Sequence, residues 1–454
     1  MSFKTTTIVA ILAIALGAYV YFYEIKGGEE RQQAEQEAKK IFLFEDDQVK
    51  GMTLAHSGVE IVLARAEDGV WKITAPIETE ADQGAVDALV RNLKNAETDR
   101  VVADSTADLA LFGLDDPKVK VSLLLEKAST DTLCIGDKSP TGSYVFANRN
   151  GSREVFTTSS SLLTNVQKEL FDLRDKRVLA FEKDEVKKLE LNQRGKPLFV
   201  LSKTGSEWQM EQPQKLQGDR SAVDRILNKL KYGKAKAFVT EKTESVKPYG
   251  LDDPDIVVTL WLGKDKAKKQ LKIGDAKSPD RYYARDEARD PIFTVDSTLV
   301  KELRKNLFDL RDKKIVKFLR SRINKIELVY ADSSIVCQKD TSDNWRVTAP
   351  VVQKAKKWKV SGILSDIETL KAEEFVAEKA TDLSRYGLDA PRITVKLWDD
   401  REIQTQVFLG KAKGDLVYAK VSGKEAVYLV KDRIVEKLSP KVADLVEAEK
   451  KEEK

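Results

Sequence analysis

Histidine is almost missing from this chain, and that scarcity removes a large share of enzyme chemistry. The single histidine among 454 residues is His56. It sits between Leu54-Ala55 and Ser57-Gly58 and reads as a loop or strand-edge residue without a catalytic task. A histidine-built metal site is nearly excluded, and the usual general base is almost absent. Cysteine is scarce too. Cys134 and Cys337 each lie in an apolar, strand-like run and read as buried thiols behaving as small hydrophobes; a disulfide between repeats stays open as the alternative. An excess of one charge is also lacking. Lys and Arg number 78 against 74 Asp and Glu, with no long basic block, so nucleic acid binding has little electrostatic support. No phosphate loop, dinucleotide fingerprint, His-Glu-x-x-His, Gly-x-Ser-x-Gly or Cys-x-x-Cys is present. No cofactor and no small-molecule substrate is evident.

What is abundant is repetition. Phe112-Gly113-Leu114-Asp115-Asp116-Pro117 recurs as Tyr249-Gly250-Leu251-Asp252-Asp253-Pro254 and as Tyr386-Gly387-Leu388-Asp389-Ala390-Pro391, each 137 residues after the last. Trp71, Trp208 and Trp345 keep the same interval, each followed five residues on by a proline. The period is too long for a solenoid unit and matches an independent domain.

Residues 1–23 carry one apolar run, Ile8 to Tyr23, long enough for a bilayer core and ending in an aromatic cluster, Tyr19, Tyr21, Phe22 and Tyr23. It reads as an uncleaved single-pass anchor. The alternative, a cleaved signal peptide, is disfavoured by its bulky aromatic end, and no cysteine follows it to carry a lipid. The short N-terminal tail favours exporting the bulk of the chain, which in a bacterium is periplasmic. Residues 24–40 form a polar stalk, followed by repeats at 41–179, 180–316 and 317–445 and a charged tail at 446–454.

Within each repeat, short alternating runs predict antiparallel strands, with the tryptophan strand closing the first group. A helix follows, with an apolar stripe at Val86, Leu89, Val90 and Leu93 and its counterparts. Asp82 and Asp219 are placed to cap it, whereas Lys356 occupies that position in the third copy. Further strands and a closing helix complete a unit reading sheet, helix, sheet, helix. The fold class is α+β: three tandem repeats of mainly antiparallel sheets with packed helices, preceded by one N-terminal transmembrane helix.

The repeated residues read as structural. Gly113, Gly250 and Gly387 suit positive φ, Pro117, Pro254 and Pro391 force an extended neighbour, and Asp115, Asp252 and Asp389 are placed to bond their own turn. Leu114, Leu251 and Leu388 would anchor the turn to a core. A carboxylate site using the paired aspartates is the competing reading, and Ala390 argues against it in the third copy. Trp71, Trp208 and Trp345 read as core anchors, with a sugar- or partner-stacking role as the minority alternative. Phe171-Asp172-Leu173-Arg174-Asp175-Lys176 recurs at 308–313 but not in the third copy. The faithful copies are those leading into another repeat. Arg174, Asp175, Arg311 and Asp312 therefore read as inter-repeat junction residues, the arginines each paired with a carboxylate.

Together the anchor, the tryptophan strand, the Tyr-Gly-Leu-Asp-Asp-Pro turn, Ile273-Gly274-Asp275 and the Phe-Asp-Leu-Arg-Asp-Lys segment resemble a bacterial family known as domain of unknown function 4340. The likeness covers Ile41 to about Leu445, and the third copy departs from it at Gly410-Lys411. The resemblance implies an inner-membrane envelope protein, often encoded beside gliding-type ABC transporter components. Its partners would be the membrane and the protein subunits of that complex. The expectation is a non-enzymatic scaffold or auxiliary subunit. A periplasmic ligand- or glycan-binding module and a carboxylate hydrolase are the alternatives.

Overall fold

A computed structural model describes residue 16 and residues 34–448, apart from 107, 127–128, 264–266 and 400–403. The expected anchor at 1–23 lies outside the described residues, apart from Leu16. No described helix is long and apolar enough to cross a membrane. Residues 34–39 of the expected stalk are helical and exposed.

Three modules follow, and each is one nine-strand antiparallel sheet. In the first, β1 (Val49–His56), β2 (Val59–Arg65), β3 (Trp71–Ala75) and β4 (Thr79–Glu80) precede helix α1 (Gln83–Lys94). Then come β5 (Thr98–Ala103), β6 (Val119–Leu125), β7 (Thr130–Lys138), β8 (Tyr144–Arg149) and β9 (Val155–Ser159). The spatial order is β4-β3-β2-β1-β6-β7-β8-β9-β5, kept in all three copies. Two expectations need correction. The strands before and after the helix form one continuous sheet, because β1 pairs with β6. The tryptophan strand does not close its group, since two-residue β4 pairs outside it.

The period-2 alternation explains how each sheet is covered. Leu133 and Ile135 of β7 face the main core beneath α1. Cys134, between them, faces the other side with Leu114 and Val155. Val86, Leu89, Val90 and Leu93 form the buried stripe of α1, and Asp82 Oδ1 accepts from Ala85 N at its start. Asp219 caps the second copy in the same way. Lys356 makes no side-chain cap in the third, so that helix forgoes a contribution of about 1 kcal/mol. The expected closing helix is two short ones, α2 (Ser160–Val166) and α3 (Leu170–Leu173).

His56 has a task after all. It is buried at the end of β1, and its Nε2 lies 2.8 Å from the Lys168 carbonyl between α2 and α3. Gln193 Nε2 donates to Lys305 O at 2.8 Å, and Tyr330 OH donates to Leu438 O at 2.7 Å, from the matching positions. One job is thus done by three residue types that share a donor. We expect His56→Gln, which keeps a donor at this position, to lose less stability than His56→Leu. His56→Leu strips a buried carbonyl of its donor and should cost about 1–3 kcal/mol in urea unfolding. Equal losses for both variants would contradict this role.

Both cysteines are buried and unpaired. Burial raises the Cys134 thiol and pushes Cys337 up to about 11. Neither should label with a thiol reagent at pH 8 until the chain unfolds; prompt labelling of the native protein would refute this.

Candidate functional site

The repeated residues separate into two groups, one inside each module and one between modules. Trp71, Trp208 and Trp345 are core residues, each no more than 4% exposed. Gly113, Gly250 and Gly387 adopt φ of 65°, 64° and 64° at the end of a 3-10 turn. Each turn lies over a bulge in the strand pair beneath it, at Ile135/Lys138, Ile273/Ala276 and Leu409/Ala412. The aromatic before each glycine meets a ring of the neighbouring strand, Phe112 on Phe146, Tyr249 on Tyr283 and Tyr386 on Tyr418. Leu114, Leu251 and Leu388 are buried. Pro117, Pro254 and Pro391 lie five residues beyond the 3-10 turn and two before the next strand.

The turn is not held by its own aspartate, as the sequence suggested. Asp115, Asp252 and Asp389 are exposed, and the bonding groups lie upstream. Asp108 accepts from Ala110 N, Asp382 from Ser384 N, and Ser245 Oγ from Lys247 N. These upstream groups came with no repeated motif of their own. Among the described residues, no group of three or more His, Cys, Asp or Glu could hold a metal ion.

Sequence reasoning also missed the role of Gly136, Gly274 and Gly410, although the last two were quoted within Ile273-Gly274-Asp275 and Gly410-Lys411. A Cβ on these glycines would lie 2.2, 2.1 and 2.3 Å from the carbonyl oxygens of Phe112, Tyr249 and Tyr386. The turn therefore rests directly on bare backbone.

The second group builds the junctions. Arg174 is 3% exposed, and its guanidinium lies 3.3 Å from the ring centroid of Phe238 in the next module. It also binds Glu241 in bidentate fashion, at 2.6 and 3.0 Å. Arg311 repeats this on Phe375 at 3.3 Å and on Glu378 at 2.5 and 3.2 Å. Phe171 packs on Phe238, and Phe308 on Phe375.

The linker backbone is shared between neighbours. Asp175 N donates to Glu80 O behind it, and Asp82 N donates to Leu173 O. Ahead of it, Val178 N donates to Gly233 O, and Ala235 N donates to Lys176 O. The second junction has the same four bonds, through Asp312–Gln217, Asp219–Leu310, Ile315–Leu370 and Ala372–Lys313. Cations from the following module grip the linker carbonyls. Arg289 binds that of Arg177, and Lys424 Nζ donates to Ile315 O at 2.8 Å. Burial would push the Asp175 carboxyl up, but bonds from the Arg177 side chain and backbone, with the Arg289 charge, hold it below the ordinary carboxylate value. Asp312 accepts from Lys314 N and pairs with Lys317 at 3.0 Å.

The third copy keeps half of this junction. Ala355 bridges Val446 just as Ala81 bridges Arg174 and Gly218 bridges Arg311. Lys356 N donates to Leu445 O, and Glu447 N to Lys354 O. Val446 and Glu447 thus belong to the third sheet's edge rather than to a free tail. Val446 stands where the arginines stand, and Ala443 where Phe171 and Phe308 stand. Chemically, the arrangement joins modules; the groove beside the first junction mixes charged side chains such as Asp82, Asp175, Arg177 and Lys234 with apolar Leu179 and Phe181.

Comparison with known proteins gives a family and little else. No curated protein matches the chain. Its similarity to the crystal structure of the DNA polymerase sliding clamp from Pseudomonas aeruginosa with ligand spans 86% of this chain and 93% of that one. At 8% identity and a TM-score of 0.14, that likeness carries no argument. The family described as "Domain of unknown function (DUF4340)" matches residues 71–209, 208–344 and 345–450. Its sequence unit starts at each tryptophan, inside one sheet, and the first two units end inside the next. With three consecutive matches spanning most of its length, the chain belongs to the DUF4340 family.

Proposed function

We propose that this protein is a membrane-anchored, exported, non-enzymatic scaffold, an auxiliary subunit of an envelope complex of the ABC transporter kind. Its place is the inner membrane, held by the apolar run of residues 1–23, with the modules outside the cytoplasm. The observation that carries this reading is the duplicated junction. Two neighbouring pairs of modules are locked by the same stacked, bidentate arginine and the same four backbone bonds. The repeated tryptophans, glycines, leucines and arginines serve in folding a module or in joining two. A stiff three-module array suits holding partners at a set distance.

The test is isolation of the tagged full-length protein from membranes after mild cross-linking. Recovery with transporter subunits is expected, and recovery of the protein alone at every cross-linker dose would overturn the scaffold reading.

A further inference from the structure

The faces that join modules inside the chain are also present at its two ends, and their side chains differ there in a paired way. The outgoing face of the third module carries Val446 in the place of Arg174 and Arg311. The incoming face of the first carries Val101 in the place of Phe238 and Phe375, and Val101 is 48% exposed. The arginine and the aromatic ring beneath it are thus both replaced by valine, Val446 being half-buried against its own module's core. A second pair has exchanged signs. At the first junction Lys234 of the incoming face lies 3.6 Å from Asp82 of the outgoing face. At the chain ends the matching residues are Glu97, incoming, and Lys356, outgoing. The two end faces thus carry the same pair of charges with the signs exchanged, although Lys356 Nζ also donates to Asp444 O of its own module at 3.3 Å.

The rest of each end agrees. The outgoing end adds Lys357 and Lys359 beside Trp358, which is 67% exposed, together with exposed Val351 and Val352, while Lys354 is paired with Glu447 of the same edge at 2.9 Å. Trp358 stands where Gly84 and Ser221 line the internal grooves. The incoming end adds Asp99, Val102 and Asp104, all exposed.

We propose that the outgoing face of the third module docks on the incoming face of the first module of a second copy, continuing the intramolecular junction between chains. The occupant is a second copy because the charges and the apolar pair fit each other, and because the surface is continuous in kind with two junctions already formed. In that contact Glu447 of one copy stands where Asp175 and Asp312 stand, and Lys40 of the next stands where Arg177 and Lys314 stand. Lys40 already bridges Glu97, as Arg177 bridges Lys234 and Lys314 bridges Lys371. The contact is heterologous, so each copy offers a face to the next and assemblies grow beyond the dimer, as open chains or as rings according to the rotation between copies. The reversed charges keep ends for ends, since either end would meet an internal face with like charge. This goes beyond the scaffold reading and does not depend on the anchor.

The experiment is sedimentation velocity of the detergent-solubilised full chain over a concentration series at low salt. The parent should form concentration-dependent dimers and longer species. Lys356→Glu and Glu97→Lys should each weaken association about tenfold, a change of about 1.4 kcal/mol. Each should fold normally, since both positions lie at the surface, and a circular dichroism melt checks this. An equimolar mixture of the two variants should associate again, because each outgoing face now meets its complement on the other chain. A parent monomeric at every concentration overturns the proposal. So does Glu97→Lys associating like the parent, the result of an outgoing-to-outgoing contact, or a mixture that stays dissociated.

Discussion

Arg311→Glu should open the second junction while leaving the sheets on either side folded. The guanidinium lies on the Phe375 ring and binds Glu378, and Arg311 is 8% exposed. Reversal places a carboxylate on the negative face of that ring and beside Glu378. Breaking a fully buried pair costs about 3–5 kcal/mol. The Glu378 side chain is 53% exposed, so solvent screens part of the repulsion, and about 2–4 kcal/mol is expected here. Glu378→Gln should cost under about 1 kcal/mol, because the stacked arginine remains. Hydrogen exchange reads the difference directly. Asp312, Ile315 and Ala372 donate across the linker, and their protection should fall in Arg311→Glu and persist in Glu378→Gln. Unchanged protection of those amides, with unchanged small-angle scattering, would show that the arginine does not hold the junction.

The second large effect belongs to a residue with no side chain. In Gly274→Ala the new methyl would sit 2.1 Å from the Tyr249 carbonyl, which is backbone and cannot swing away. Either the turn lifts off the bulge, separating Tyr249 from Tyr283, or the strand pair opens. A cost of about 3 kcal/mol, the upper part of the range for overpacking, is expected in urea unfolding. Gly142→Ala is the control. It has φ of 75° but nothing within 4 Å of the added carbon, so only the left-handed backbone strain of about 1–2 kcal/mol applies. If the two variants lose the same stability, the close contact is not what fixes that glycine.

These residues show where sequence reasoning reached and where it stopped. The α1 stripe, its aspartate caps and the arginine–carboxylate junction rest on short-range periodicity or on repetition in register, and both are visible in a string of letters. Strand order is a matter of distant partners. Leu123 of β6 meets Met52 of β1 across some seventy intervening residues, and no local pattern names that pairing. Strand β5 at the far edge is exposed or half-exposed throughout, so it lacks the alternation that announces a strand. The third copy's half junction was hidden by a two-residue slip: Leu445 follows Leu310 by 135 positions, whereas Leu310 follows Leu173 by 137. A comparison at the fixed interval of 137 sets positions 445–450 against Phe308 to Lys313 and so misses Val442 to Glu447 as the counterpart. Gly136, Gly274 and Gly410 acquire a reason only once a turn is seen resting upon them.

The two-residue β4 strand leaves each sheet with very little outer flank, and the amides of Asp175, Asp312 and Glu447 cover it by bonding to Glu80, Gln217 and Lys354. The connecting peptide is thus also the selvage of the sheet before it. A protease cutting between Leu173 and Arg177 would not release tidy beads. It would fray a β flank, the surface on which other chains add and precipitate, so the array should persist or be lost as a whole.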